Sequence, residues 1–282
     1  MVSKDTPAFG PYVIQRAICT RPGVELLQAM FFNAGHRHRP VALRRTRPLH
    51  DGEHDKLVRA ACAYAILQHA DVVPVLDFGS LNNRTYIATP LVEGHNLLQV
   101  MARCAHRRQP FPFDVALFMT CRTLCALQYA HDHDQTHGDV SPTNVMVTSE
   151  GKVQLADFGI RMASTRLRSP AGLNRGIGRR FACYLSPEQA QGDGPSPQAD
   201  VFVAGILLYE LLTGHVLFSG VNETKIVDTL AEGAYKVPID NYRPDLHPAL
   251  VRLVRQALAP APKDRFPDAR AFLNAIQELV LR

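Results

Sequence analysis

Lysine is the residue this chain largely does without. It supplies six of the 31 basic side chains and arginine the rest, for a formal net charge of +5 and an isoelectric point near 9.0. Arginine offers a planar fork of donors suited to carboxylate and phosphate, whereas lysine is a compact point charge. The arginines are scattered, and their densest run, His36 to Arg47, also carries a strand pattern at Val41-Ala42-Leu43. General basicity explains this charge better than a dedicated surface, so no specific nucleic-acid partner is expected. Paired cysteines are missing too. The six cysteines, at 19, 62, 104, 121, 125 and 183, form no C-x-x-C. Cys121 and Cys125 stand one helical turn apart in an apolar segment, which is core spacing rather than a zinc site or disulfide framework. No apolar run approaches the ~18 residues of a membrane helix, because Gly205 and Glu210 interrupt the longest candidate, Val201 to Leu212. No signal-peptide core opens the chain, and no repeat or low-complexity tract is visible. These absences lead to the expectation of a cytoplasmic protein in a reducing compartment, with no membrane tether.

What is present suits a globular fold. A chain of 282 residues, 46% hydrophobic and 20% charged, can bury one or two sizeable cores. Short apolar runs bounded by turn signals predict strands over Tyr12–Ile18, Val24–Phe32, Pro40–Arg44, Val72–Phe78 and Tyr86–Val92, with one helix over His54–Gln68. Beyond Gly94 the periodicity becomes helical, over Phe113–His133, Ala199–Leu212, Glu223–Glu232, Pro248–Leu258 and Ala269–Leu281. The expectation is an α+β, bilobal arrangement: a small antiparallel-sheet lobe with one helix over 1–92 and a larger, mainly helical lobe over 93–282.

Two motifs stand out. His137-Gly138-Asp139-Val140-Ser141-Pro142-Thr143-Asn144 is followed, thirteen residues after Asn144, by Asp157-Phe158-Gly159. Further along come Tyr184-Leu185-Ser186-Pro187-Glu188, then Asp200-Val201-Phe202 with Gly205, then Lys263-Asp264-Arg265-Phe266. In this order and spacing the chain resembles the protein kinase family from end to end, in the flavour of bacterial serine/threonine kinases. Small-molecule phosphotransferases also write His-Gly-Asp in this loop, but they lack the Ser-Pro-Glu segment and the Asp200 helix.

The resemblance implies roles. Asp139 falls at the catalytic base, and Asn144 and Asp157 at the magnesium ligands, hard oxygen donors that suit Mg2+ beside nucleotide phosphates. Leu26, Ala42 and Met146 would face adenine, with Thr89 as gatekeeper and Val92 in the hinge. Glu188 and Arg265 should form a buried ion pair, Asp200 should receive catalytic-loop N–H groups, and His137 should stack on Phe158, with Tyr64 in the same column.

The phosphate-gripping positions depart from that pattern. The glycines of the glycine-rich loop align with Cys19, Arg21 and Val24, leaving only Gly23 after Pro22. Arg44 stands where the family has lysine, and its glutamate partner falls on Ala60; Glu25, Glu53 and Asp55 are the nearest acidic substitutes. Ser141 replaces the loop lysine, Gly138 the arginine that would read a phosphorylated activation loop, and Phe181 the threonine of the substrate segment. Losing one preorganised electrostatic group commonly costs about 3 kcal/mol, so two would slow a typical kinase by roughly 10³–10⁵. ATP and Mg2+ are therefore expected to bind weakly. The leading expectation is a serine/threonine-kinase-like pseudokinase acting through a protein partner. An active atypical kinase, using Arg44, Arg21 or Arg161 on the phosphates, comes second, and a small-molecule phosphotransferase third. His131-Asp132-His133-Asp134 lies at a helix end without further ligands, so no metal site is expected there.

Overall fold

Alternating apolar residues build the first part of the fold. A computed structural model describes residues 8–21, 23–32, 38–46, 48, 53–107, 111–160, 179–219 and 222–281. Chain contacts divide it into one unit of residues 1–69 and 73–93 and another of 70–72 and 94–282.

In the first unit, β1 (Ala8–Phe9), β2 (Tyr12–Arg21), β3 (Val24–Phe32), β4 (His38–Thr46), β5 (Asp77–Leu81) and β6 (Arg84–Pro90) form a sheet in the order β1-β2-β3-β4-β6-β5. Each neighbouring pair is antiparallel. Side chains alternate across a strand, so Leu27, Ala29, Val41, Leu43 and Ala88 share a face and bury with Phe9, Tyr12 and Ile14. The helix α1 (Glu53–Ala65) buries Leu57, Ala61 and Tyr64, one helical stripe. The strand predicted over Val72–Phe78 is displaced. Val72 makes only an isolated bridge, to Leu155, and the ladder starts at Asp77. Pro74 has no N–H to give a ladder, which accounts for the late start.

The second unit opens with a small sheet of β7 (Gly94–Asn96), β8 (Val145–Thr148) and β9 (Val153–Leu155), antiparallel in that order. The helix α2 (Leu97–His106) was not foreseen from periodicity. Its start is a capping box, in which the Asn96 side chain and Gln99 exchange bonds with each other's backbone N–H. Then come α3 (Phe113–His131), the short α4 (Arg179–Ala182) and α5 (Pro187–Ala190), α6 (Pro197–Thr213), α7 (Glu223–Ala231), α8 (Ile239–Tyr242), α9 (Pro248–Ala257) and α10 (Ala269–Val280). Residues Ala199 to Leu212 of α6 are all buried, as expected for a helix apolar all round. Gly205 lets it approach α9, since a Cβ there would lie 2.9 Å from that of Ala257. Among the described residues no helix is long and apolar enough to cross a membrane.

Candidate catalytic and nucleotide site

The catalytic-loop residues come together in the second unit, and Asp200 near the start of α6 organises them. Its carboxylate, 1% exposed, accepts from the backbone N–H of His137 at 2.8 Å and of Gly138 at 2.9 Å. His131 Nε2 lies 3.0 Å from the same carboxylate. His137 adds a second fixture. Its Nε2 bonds the Ala156 carbonyl at 2.8 Å, and its Nδ1 accepts the Asp139 N–H at 3.2 Å, so the tautomer protonated on Nε2 satisfies both. The His137 ring also packs on Phe158, with centroids 4.6 Å apart. Gly159 N–H donates to the His137 carbonyl, and Ala156 N–H to that of Asn144, tying the Asp157 segment to the loop.

Within this frame Asn144 Nδ2 donates to the Asp139 carbonyl at 2.8 Å and to the Asp139 carboxylate at 3.1 Å. With the amide hydrogens engaged, the atom Asn144 has left for a ligand is its carbonyl oxygen. That is the hard donor magnesium takes, so this side chain fits the ion. Asp157 has φ +69, a left-handed conformation costing a non-glycine residue about 1–2 kcal/mol. Among the described residues no cluster of three His, Cys, Asp or Glu could hold a metal unaided. Nucleotide phosphates and water are the ligands that would complete a magnesium shell begun by Asn144 and Asp157. Met146 lies on β8, paired with Asn96 and Gln154.

In the first unit the register sets which candidates share a face. Leu26 pairs with Arg44, and Ala42 with Thr89. Paired residues project to the same side and alternate residues return to it. Leu26, Ala42, Arg44 and Thr89 therefore line one face of the sheet, opposite the Leu27–Leu43–Ala88 core. Val92 lies just beyond β6. The structure thus gathers these four together, and gathers Asp139, Asn144 and Asp157 together in the other unit.

Three departures take physical form. Cys19 pairs with Leu26 and Arg21 with Val24, so the ladder continues to the hairpin tip, and none of the three has positive φ. Among the described residues from Cys19 to Leu26, only Gly23, at φ +85, has the left-handed backbone glycine favours. Ser141 is buried, its hydroxyl 2.8 Å from that of Thr143, in a loop segment His137 to Asn144 without lysine or arginine. Glu25 is not the partner of Arg44. It pairs with Arg45 at 2.8 Å, because those two stand opposite one another in the ladder while Arg44 faces the other way. Asp55 is exposed, and Phe181 is buried. Pro22, Arg161 and the side chains of Arg21 and Glu53 lie outside the described residues.

Glu188 and Arg265 form the expected pair, two bonds of 2.8 Å with Arg265 4% exposed. Sequence reasoning missed Gln189, whose Nε2 donates to the Gly138 carbonyl at 3.2 Å. The visible signal was Ser186-x-x-Gln189, a capping-box spacing that the structure realises at the start of α5. Glu210 was also unforeseen. It accepts from Tyr184 Oη at 2.8 Å, and burial pushes its carboxyl up to about 7. In the His131–Asp134 stretch Asp132 pairs with Arg270 and His133 Nδ1 meets the Tyr129 carbonyl.

The profile of the protein kinase domain matches residues 34–275. Tyrosine-protein kinase MasK of Myxococcus xanthus is 29% identical over 280 residues, covering 95% of this chain and 43% of its own. Serine/threonine-protein kinase PknL of Mycobacterium tuberculosis is 33% identical over 250 residues, 85% of this chain and 60% of its own. The chain thus spans less than two thirds of either relative. The crystal structure of the Mycobacterium tuberculosis PknI kinase domain superposes with a TM-score of 0.75 at 25% identity, covering 98% of this chain and 99% of that one. A bilobal fold, an antiparallel-sheet lobe and a helical lobe, goes with that match. The loop built around Asp200, the Glu188–Arg265 pair and the profile match agree: this chain belongs to the protein kinase family, in its eukaryotic-like bacterial branch.

Proposed function

We propose that this serine/threonine-kinase-like chain is a pseudokinase: it binds Mg-ATP weakly, transfers phosphate poorly and works in signalling by engaging a protein partner. The observation that carries the reading is the lack of positive charge in the catalytic loop, where Ser141 is buried against Thr143 and no cation lies between His137 and Asn144. A transferring phosphoryl group needs preorganised cations more than any covalent help from the protein. The ladder pairs Cys19–Leu26, Thr20–Glu25 and Arg21–Val24 support the same reading, because backbone paired across a ladder has fewer N–H groups to offer phosphate. Asn144 and Asp157 would hold Mg2+, which when bound neutralises phosphate charge. Leu26, Ala42, Thr89, Val92 and Met146 would line the adenine site.

One observation favours a second reading, an active but atypical kinase. Asp157 is kept in left-handed backbone and Asn144 grips Asp139, so the acidic corner is assembled. There the Asp139 carboxylate would accept the hydroxyl proton of a protein substrate as its oxygen attacks the γ-phosphorus and ADP leaves. Radiolabelled phosphate transfer from Mg-ATP, to the chain itself and to a generic protein, separates the two. The pseudokinase gives no label that Asp139→Asn removes, while Mg-ATP still raises Tm by mass action. Brisk, Asp139-dependent labelling overturns it.

A further inference from the structure

The peptide groups of the His-Gly-Asp turn are held from two directions, and only one of them, Asp200, was expected. Gly138 is buried at φ +70 and has no side chain of its own to anchor the turn. Its N–H goes to Asp200 Oδ1 at 2.9 Å, and its carbonyl receives Gln189 Nε2 at 3.2 Å. Gln189 is 4% exposed, and little freedom remains to it. Its Oε1 accepts the Ser186 N–H at 3.1 Å, and its own N–H donates to Ser186 Oγ at 3.3 Å. The capping box therefore fixes one end of the amide and directs the other at the catalytic loop. The neighbouring residue, Glu188, is fixed through Arg265, whose five N–H groups reach Glu188 twice and the carbonyls of Ala259, Gln198 and Pro260. A continuous rigid line thus runs from Arg265 through Glu188 and Gln189 to the residue before Asp139.

We propose that Gln189 is a positioning residue, a tether from the Ser-Pro-Glu segment that sets the Gly138 peptide and thereby aims the Asp139 carboxylate. The inference rests on reading Asp139, Asn144 and Asp157 as the nucleotide and metal corner. It adds that this corner is oriented from within the folded helical unit, by a side chain, at a position where glycine offers none. A buried carbonyl stripped of its donor is costly, so losing this one bond should loosen the turn.

Hydrogen exchange and nucleotide titration test it on the full chain. Gln189→Met keeps length and volume without a donor. Gln189→Glu keeps the acceptor for Ser186 but sets an oxygen against the Gly138 carbonyl. Both should make the 137–141 amides exchange roughly tenfold faster, with α6 amides unchanged. Both should also weaken Mg-ADP binding roughly tenfold while leaving ADP binding in excess chelator unaltered. Ser186→Ala, which keeps the Nε2 donor, should preserve exchange at 137–141. Unchanged 137–141 exchange in the Gln189 variants overturns the proposal. So does acceleration spread equally over α5 and α6, or failure of both variants to fold, since either marks Gln189 as general core. If wild type binds no Mg-ADP, the nucleotide reading fails, and the exchange data alone then decide the tether.

Discussion

Arg265 holds Glu188 by two parallel bonds of 2.8 Å, while Phe202 lies beneath its guanidinium with the carbon 4.6 Å from the ring centroid. Removing one partner leaves the other buried and uncompensated. Arg265→Ala should therefore lower unfolding free energy by about 3–5 kcal/mol, read from urea denaturation. Arg265→Lys should recover little, because an ammonium has three donors for five acceptors and cannot form the planar fork.

The left-handed backbone of Asp157 separates a structural role from a functional one. Asp157→Gly removes the strain and should raise stability by about 1 kcal/mol. The same change should abolish the Mg2+-dependent part of nucleotide binding, measured by titration with and without chelator. A glycine variant that is less stable would mean the carboxylate is kept for its local bonds instead.

Glu210 gives the fold a pH dependence. Its carboxyl is raised from 4.5 to about 7, chiefly by burial, with the Tyr184 hydroxyl and the Leu217 N–H opposing. A folded-state value above the unfolded one means the folded chain holds the proton more tightly. The contribution is complete below pH 4.5 and is lost as pH rises through 7. It amounts to about 3 kcal/mol. Glu210→Gln should flatten the fall in stability over that window, followed by denaturation at a series of pH values.

Arg44 is the most direct handle on the proposed weakness of the phosphate site. It shares a sheet face with Ala42 and Thr89, and Glu25 is engaged by Arg45 and Arg84. Arg44→Lys combined with Ala60→Glu restores the family's residue types at both positions, and it should tighten ATP binding about tenfold by calorimetry if their replacement is the limitation. No gain from the double change would assign the weakness to the hairpin at Cys19 to Val24.

Much of the fold was legible because long apolar periods survive any context. The strand Val24–Phe32 appears as read, and Phe113–His131 and Pro248–Ala257 end within two residues of expectation. The short elements were missed for a local reason. The strands Val145–Thr148 and Val153–Leu155 are too brief to display a period. The helix at Leu97 announces itself only through its cap.

At the site the division runs between residue identity and residue placement. Ordered motifs named Asp139, Asn144 and Asp157, and the residue types at Gly138 and Ser141, neither lysine nor arginine, removed cations from the catalytic loop. Chemistry of that kind is written in the residue types, whatever the chain's path. Which arginine Glu25 grips, which face Arg44 occupies and how Gln189 reaches Gly138 were decided by the folded chain. Strand register turns on a one-residue parity, and a bond between residues 51 positions apart exists only once helix and loop have packed.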